Sequence, residues 1–428
     1  MLNVVRGATA GKSYVAVADR LVVSGASFLT MIIVGRAAGV TELGMFALAW
    51  SVLLVTNVVV EALVVTPFTV FVGEHDKQAD RRAYAGVVLA QALGLAGAAM
   101  AIVPAAGHVL ADSLSIERSA SIMWALFVAI PMVVIREFAR RFLFATLEAV
   151  KVFVLDLLVA ALQLSTLIAL WTMSELSATT ALASLAFSSG IVSAVWLVME
   201  RRKFGRFSAD FLREKLRAHV KFGRWVGAAQ LSDLAATHGI VWVIAAFSGA
   251  TATGIFAACN SLALVVNPLI LGLGSVLLPR TARAGREGGR AEVSRVVWKV
   301  TGFLVAAIGV VCLGIAVFGS QIVVALYSLD FTTGLAGIIA LLALSHFLAG
   351  AAFAVDNGLT AIARPDLNFA AAFAGLIVTL TSSLLLIVPL GLIGAALGVA
   401  LGAFASTCFQ FAAFARQVGM PRWNTRSR

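Results

Sequence analysis

Charge is what this sequence has least of. Only 12% of its 428 residues are Asp, Glu, Lys or Arg, against 61% that are hydrophobic. A chain so composed has no polar exterior to turn toward water, which excludes a soluble globular fold and makes lipid the main solvent. Cysteine is nearly absent too: Cys259, Cys312 and Cys408 each fall inside a hydrophobic run with no CxxC spacing. That excludes a disulfide framework and a thiolate metal site, and leaves apolar packing. A phosphate loop is also missing. Residues 7–13, GATAGKS, end like one, but the pattern needs a glycine where Arg6 stands, and no strand precedes it. No nucleotide site or other cofactor is expected.

Long apolar segments fill the space these absences leave. A helix crosses the bilayer core in about 20 residues, and segments of that kind lie near residues 14–35, 44–72, 84–104, 119–138, 150–171, 179–199, 224–247, 252–278, 299–319, 333–358, 367–388 and 391–413. The spacing predicts an all-α polytopic membrane protein of about twelve transmembrane helices. The first segment follows Arg6 and Lys12 without a small-residue cleavage site and reads as a retained helix.

Lysine and arginine set the orientation, because cytoplasmic loops keep them. With the N-terminus inside, the inner segments hold Arg6 and Lys12; Lys77, Arg81 and Arg82; Arg136, Arg140, Arg141 and Lys151; nine basic residues from Arg201 to Arg224; six from Arg280 to Lys299; Arg364; and four from Arg416 onward. The outer side has only Arg36 and Arg118. Both termini are therefore expected in the cytoplasm. The net charge of +11 reports topology and contact with anionic membrane lipid rather than nucleic acid.

One stretch occurs twice. Residues 39–57, GVTELGMFALAWSVLLVTN, and residues 249–267, GATATGIFAACNSLALVVN, agree without gaps at nine of nineteen positions. Each copy joins the first crossing of a six-helix half to the second, and LFATLEAVKVF (residues 143–153) weakly matches LTAIARPDLNF (residues 359–369) at the end of the fourth crossing of each half. Six crossings per half make the repeats parallel, as in some secondary transporters, where halves rock about a central cavity. The expected organisation is an N-terminal bundle over 1–200, a basic linker over 201–223 and a C-terminal bundle over 224–428. In the linker Phe207, Phe211, Leu212 and Leu216 either form one apolar face of an interfacial helix or belong to a solvated tether.

A charge at the bilayer centre costs about 2.5–3.5 kcal/mol on insertion scales, so polar groups within crossings mark inward faces. Arg20, Ser24 and Ser27 share a face of the first crossing; Gln230 and Thr237, with Asp233 beside them, lie at the matching places of the seventh. Trp50, Asn57 and Glu61 share a face of the second, where the eighth has Asn260 and Asn267. These stripes predict a water-accessible cavity lined by crossings 1, 2, 7 and 8. Glu61 and Asp233 are candidates for carrying a proton or cation, against a structural hydrogen bond. Arg20 either lines the cavity or snorkels to the inner headgroups. Arg136 and Arg140, at i and i+4, either clamp a phosphate or serve as ordinary inside-flanking charge. His238 and His346 read as packing residues or proton ligands. Asp156 and Asp356 fall near cytoplasmic ends, where solvation is easy, and Pro67, Pro131, Pro268 and Pro389 are expected to kink their helices.

The run VADRLVVSGASFLTMIIVGRAAGVTELGMFALAWSVLLV (residues 17–55) and NGLTAIARPDLNF (residues 357–369) resemble the polysaccharide-biosynthesis flippases of the multidrug/oligosaccharidyl-lipid/polysaccharide (MOP) exporter superfamily. The resemblance implies a MATE-like fold in a bacterial inner-membrane transporter that turns undecaprenyl-pyrophosphate-linked oligosaccharide from the cytoplasmic to the periplasmic leaflet, for O-antigen, capsule or exopolysaccharide assembly. A polysaccharide polymerase and export machinery would be partners. On that reading Arg20, Arg136 and Arg140 meet the pyrophosphate; Asn57, Gln230, Asn260 and Asn267 line the glycan path; and Glu61 or Asp233 couples an ion. Two rivals remain. A cation-coupled multidrug antiporter shares the superfamily and would want carboxylates and aromatics rather than bases. A membrane-embedded polymerase, ligase or acyltransferase would want catalytic groups in an outer loop, yet the longest, residues 105–118, offers only His108, Asp112, Glu117 and Arg118, with no nucleophile and base together.

Overall fold

A computed structural model describes residues 2–71, 78–114, 119–146, 148–328, 334–362 and 364–418. Side chains are left aside at 2–14, 16, 78–79, 104–114, 119, 225–226, 229, 233, 236, 267–269 and 271–288. Every regular element among the described residues is helical: α1 (Leu2–Ala37), α2 (Val40–Val60), α3 (Thr66–Phe71), α4 (Gln78–Leu114), α5 (Ser119–Ala145), α6 (Ala149–Thr172), α7 (Ala178–Glu200), α8 (Ala209–Ala263), α9 (Asn267–Tyr327), α10 (Leu335–Ala361) and α11 (Pro365–Val418). Alanine, leucine and valine fill them, and in lipid a helix is the structure that satisfies its own backbone.

Three of these helices, of 55, 61 and 54 residues, are far longer than one crossing. Each is broken by a glycine at positive φ: Gly249 (79°), Gly289 (60°) and Gly391 (58°), a conformation in which a Cβ is strained. Ten helices among the described residues are long and apolar enough to cross a membrane. The breaks at Gly249 and Gly391 divide two of those ten, which gives the twelve crossings expected from the sequence. The repeat is visible in the backbone too: Gly39 (φ 93°, ψ 167°) and Gly249 (φ 79°, ψ 179°) adopt nearly the same rare conformation at the same place in the two copies.

The chain divides into two compact units, residues 1–234 with 249–254, and residues 235–248 with 255–428. In the first unit α5 packs against α2, α4 and α7, and α6 against α1 and α7. Its core holds Phe46, Leu53, Leu126, Ile130 and Phe138, all fully covered. At the basic end Phe142 stacks on Phe68 at 5.5 Å, and Trp196 and Phe204 close around it. Lys151 and Lys203 each bridge Glu148 and Glu200, which ties the α5–α6 turn to the end of α7. The repeated turns touch within this unit. Thr41 and Thr251 share a hydrogen bond of 2.8 Å, and a Cβ on Gly44 would lie 1.9 Å from the Ala250 carbonyl oxygen.

The second crossing departs from a simple helix. Between α2 and α3 the chain makes a π turn over Glu61–Val65. Pro67 explains it, since proline donates no hydrogen bond and its ring presses on the carbonyl four residues back, so the ladder widens.

The linker region is docked rather than a free tether. The start of α8 lies on α4 through His219, whose ring nitrogens meet Tyr84 Oη and Gln91 Oε1 at 2.8 Å each. One turn on, Gly223 lies so close to Ala62 that a Cβ would come within 2.2 Å of its carbonyl oxygen. Phe207 precedes the helix and Leu216 points outward, so the docked face runs through His219 and Gly223 rather than along the apolar face the sequence suggests.

In the second unit α10 packs on α9 and α11, and the two halves of α11 fold back on each other. Small residues make this possible, as close helix pairs in lipid require. Gly394, Gly398 and Gly402 recur every four residues. A Cβ on Gly398 would lie 2.1 Å from Ser383 Oγ, and one on Gly402 1.8 Å from Thr379 Oγ1.

Two outcomes are expected. Replacing Gly398 by Leu overpacks the α11 hairpin, a cost of about 1–3 kcal/mol, and lowers the melting temperature of the detergent-solubilised protein. Gly302→Leu, at a position with open space, leaves it unchanged. His219 tests a second contact. Burial, aided by Lys215, pushes its pKa down to about 4, so the fold keeps the neutral ring. Its contribution is complete above the ordinary value near 6.5 and is lost as pH falls from there through about 4. Melting curves across that window should flatten in His219→Gln, which keeps a hydrogen-bonding side chain but cannot titrate.

Candidate functional site

The first unit gathers its charges at the basic ends of α1, α5 and α6. Arg136 and Arg140 do lie on one face of α5, as their spacing requires, but that face is already occupied. Arg136 Nη2 donates to Asp156 Oδ1 at 2.7 Å and Arg140 Nε to Asp156 Oδ2 at 2.6 Å. Arg140 Nη2 reaches Asp19 Oδ2 at 3.0 Å, and its Nη1 stands 3.6 Å from Glu137 Oε1. Arg141 extends the network, with Nε on Glu137 at 2.7 Å and Nη2 on Glu61 at 2.9 Å. The easy solvation read for Asp156 from its sequence position is corrected here. Its carboxylate is fully covered, because α6 packs that face inward and both oxygens are consumed by the arginines.

The formal sum is informative. Arg136, Arg140 and Arg141 face Asp19, Glu61, Glu137 and Asp156, three cations against four anions. Arg20 is the fourth cation of the neighbourhood, next along α1 from Asp19. It is exposed, and among the described residues it has no hydrogen-bond or ion-pair partner. Arg136 Nε and Asp19 Oδ1 are buried without partners as well. With Arg20 the four anions meet four cations, and Arg20 alone among these cations spends none of its N–H groups on a hydrogen bond or ion pair within the described residues, which leaves them open to an anion from outside the protein.

Glu61 opens the π turn of the second crossing, and that turn aims it at Arg141. One turn earlier Asn57 Oδ1 is buried without a partner, and so is Gln230 Oε1 on α8, three residues beyond Gly227, which rests on Ala62. Unpaired buried amide oxygens of this kind call for water or a ligand hydroxyl. Asn260, in the second unit, is half-buried and has no hydrogen-bond partner among the described residues. The side chains of Asp233 and Asn267 lie outside the described residues. His346 Nδ1 meets the Leu342 carbonyl at 3.0 Å, a satisfied packing contact. No cluster of three or more metal-ligating side chains exists among the described residues.

Sequence reasoning overlooked Asp19, Glu137, Arg141 and Asp156 as members of the site. Glu137 and Arg141 did carry a signal, since an acid four residues before a base on a helix is a favourable pair. Asp156 carried none, because its partners come from another helix.

Solved structures share this fold. A multidrug resistance MATE family transporter of the MOP superfamily, in its inward-facing conformation, superposes with a TM-score of 0.78 at 16% identity, over 92% of this chain and 94% of its own. The lipid II flippase MurJ in an inward closed conformation gives 0.77 at 13% identity, over 94% and 87%. At such identities the likeness speaks for the fold alone, that of multi-pass membrane transporters. No curated protein matches the sequence itself. Residues 12–284, well over half of the chain, match the polysaccharide biosynthesis protein family, and to that family the chain belongs.

Proposed function

We propose that this protein carries polyprenyl-pyrophosphate-linked oligosaccharide units from the cytoplasmic to the outer leaflet of the bacterial inner membrane by alternating access, with both termini in the cytoplasm. Polysaccharide polymerase and export machinery would act next. The observation that carries the reading is Arg20, a guanidinium without a hydrogen-bond or ion-pair partner among the described residues, beside a buried ion network in a chain of a polysaccharide biosynthesis family. A pyrophosphate takes such a group bidentately. Arg136 and Arg140 hold Asp156 and Asp19 in place, and Arg136 keeps one buried N–H to offer. Asn57 and Gln230 supply acceptors for sugar hydroxyls, and Asn267, the repeat counterpart of Asn57, and Asn260, that of Trp50, belong to the same proposed path. Glu61 is the coupling candidate whose surroundings are described, and Asp233 is the other. The lipid II flippase supports the reading by fold, as a carrier of a lipid.

The multidrug antiporter is the alternative that fold similarity favours equally. A drug cation would need a free carboxylate, whereas in this network, among the described residues, Asp19, Glu61, Glu137 and Asp156 each already face an arginine. The reading assigns the chain no bond-making chemistry.

Loss of the protein should stop surface or secreted polysaccharide and leave the lipid-linked unit on the cytoplasmic leaflet; normal polymer would sink the idea. Arg20→Ala should lower transport roughly 10–100-fold, the loss of one charged hydrogen-bond group, at unchanged melting temperature, and far more than Arg20→Lys, which keeps the charge but not the bidentate fork. Arg140→Ala, by contrast, should reduce the amount of folded protein. It leaves Asp19 and Asp156 short of a partner in a site that water does not reach, a cost of about 3–5 kcal/mol.

A further inference from the structure

The four carboxylates of the charge network are not held alike. Asp156 is fully covered and bound by two arginines, and Glu137 is likewise shared between two. Asp19 is buried against Arg140. Among the described residues Glu61 alone of the four combines a single partner with access: its side chain is 25% exposed, and that of Arg141, which it meets, is 29% exposed. A buried carboxylate that loses its arginine is left without water, whereas one in an accessible pair is hydrated again, so only the second kind opens at small cost. The Arg141–Glu61 pair is therefore the link that an incoming anion can exchange.

Arg141 is equipped for that exchange. Its Nε stays on Glu137 at 2.7 Å and holds the side chain in place, while Nη2 is spent on Glu61 at 2.9 Å and Nη1 has no partner among the described residues. The edge formed by the two Nη atoms is an edge that a phosphate takes bidentately. A second cation is at hand. Arg20 follows Asp19, which Arg140 grips, and of the charges around it Arg140 and Arg141 act on it most strongly, ahead of Asp19 and Glu137. Guanidiniums that repel one another beside an exchangeable carboxylate gain from an anion that bridges them.

We propose that Arg141 is a diphosphate-binding residue: the pyrophosphate of the lipid-linked substrate displaces Glu61 from it and bridges Arg141 and Arg20. The proposal rests on the transport reading above and adds a second ligand and the exchange that frees it. Charge selects the ligand. A pyrophosphate esterified at both ends carries two negative charges, one on each phosphoryl group, and two guanidiniums match them; a headgroup with a single phosphate engages one. The carboxylate released is Glu61, the coupling candidate, so the step that seats the substrate uncovers the group that takes the ion.

The test is binding of a synthetic farnesyl-diphosphate-linked N-acetylglucosamine to the full chain in nanodiscs, beside its monophosphate-linked analogue. The diphosphate probe should bind more tightly. Arg141→Gln, which keeps a donor for Glu137, should weaken it about tenfold and bring it level with the monophosphate probe. Glu61→Gln removes the competing carboxylate and should tighten binding about fivefold. In the Arg141→Gln background the same substitution should gain nothing, since the two act through one contact. Arg295→Gln, exposed in the other unit, should change neither probe. Were Arg141 only a strut for the π turn, Glu61→Gln would weaken binding or leave it unchanged, and either result overturns the proposal. So does an Arg141→Gln chain of unchanged melting temperature that binds like the original, or a monophosphate probe bound as tightly as the diphosphate one; each leaves the transport reading standing. If Arg141→Gln folds poorly, Glu61→Gln and the comparison of probes still decide. Absence of saturable binding of the diphosphate probe to the unaltered chain overturns both.

Discussion

A guanidinium keeps its proton under any condition the protein meets, and Arg140 lies where neither water nor headgroups cover it, with 6% of its side chain exposed. Its charge must be answered by the protein, since a buried ion left alone costs several kcal/mol. Asp19 answers from α1 and Asp156 from α6, which fixes those two helices against α5 at their basic ends. Through Glu137 and Arg141 the same network reaches Glu61, which the π turn of the second crossing presents to it. The residue after Glu61, Ala62, is the one on which Gly223 of α8 rests. One buried cation thus fixes the register of α1, α5 and α6, and its network ends on the turn after α2, beside the seat of the segment that leads to the second unit.

What the network does with its charges, the glycines do with space. At Gly39 and Gly249 the chain reverses in a conformation closed to side chains with a Cβ, and at Gly44 and Gly398 one backbone approaches another too closely to admit one. Between these points the helices are interchangeable lengths of Ala, Leu and Val, whose apolar surface meets lipid as readily as protein. Position in the fold is therefore set by few residues, and those few are small or charged.

This division explains how much was legible in the sequence. Crossings and their ends follow from hydropathy and from glycine and basic residues, which are local properties, so breaks at Gly249 and Gly391 fall where the segments were expected to end. Arg20 and Asn57 could be singled out because a polar group in an apolar run is conspicuous by itself. Asp156 could not be understood that way. It lies near a helix end, as a solvated residue does, and only the packing of α6 against α5 brings it beneath two arginines. The π turn was equally hidden, for Pro67 announces a disturbance without its form, and that form is what points Glu61 at Arg141. Partners supplied by other helices leave no periodic trace.

The two copies of the repeat decide whether the network exists for folding or for something else. Carried across the repeat by the spacing of the 39–57 and 249–267 copies, Asp19, Arg20 and Glu61 become Ala229, Gln230 and Leu271. By the spacing of 143–153 and 359–369, Arg136, Glu137, Arg140, Arg141 and Asp156 become Ala352, Phe353, Asp356, Asn357 and Ala372. The second half builds its six crossings with none of these ion pairs, relying instead on close contacts such as Gly398 on Ser383. A six-helix half of this pattern does not require the network in order to fold. Its cost in buried charge is then borne in one half only, the half that also has Arg20, and the cargo proposed above, with a charged end and a neutral end, would meet two halves that differ in this way.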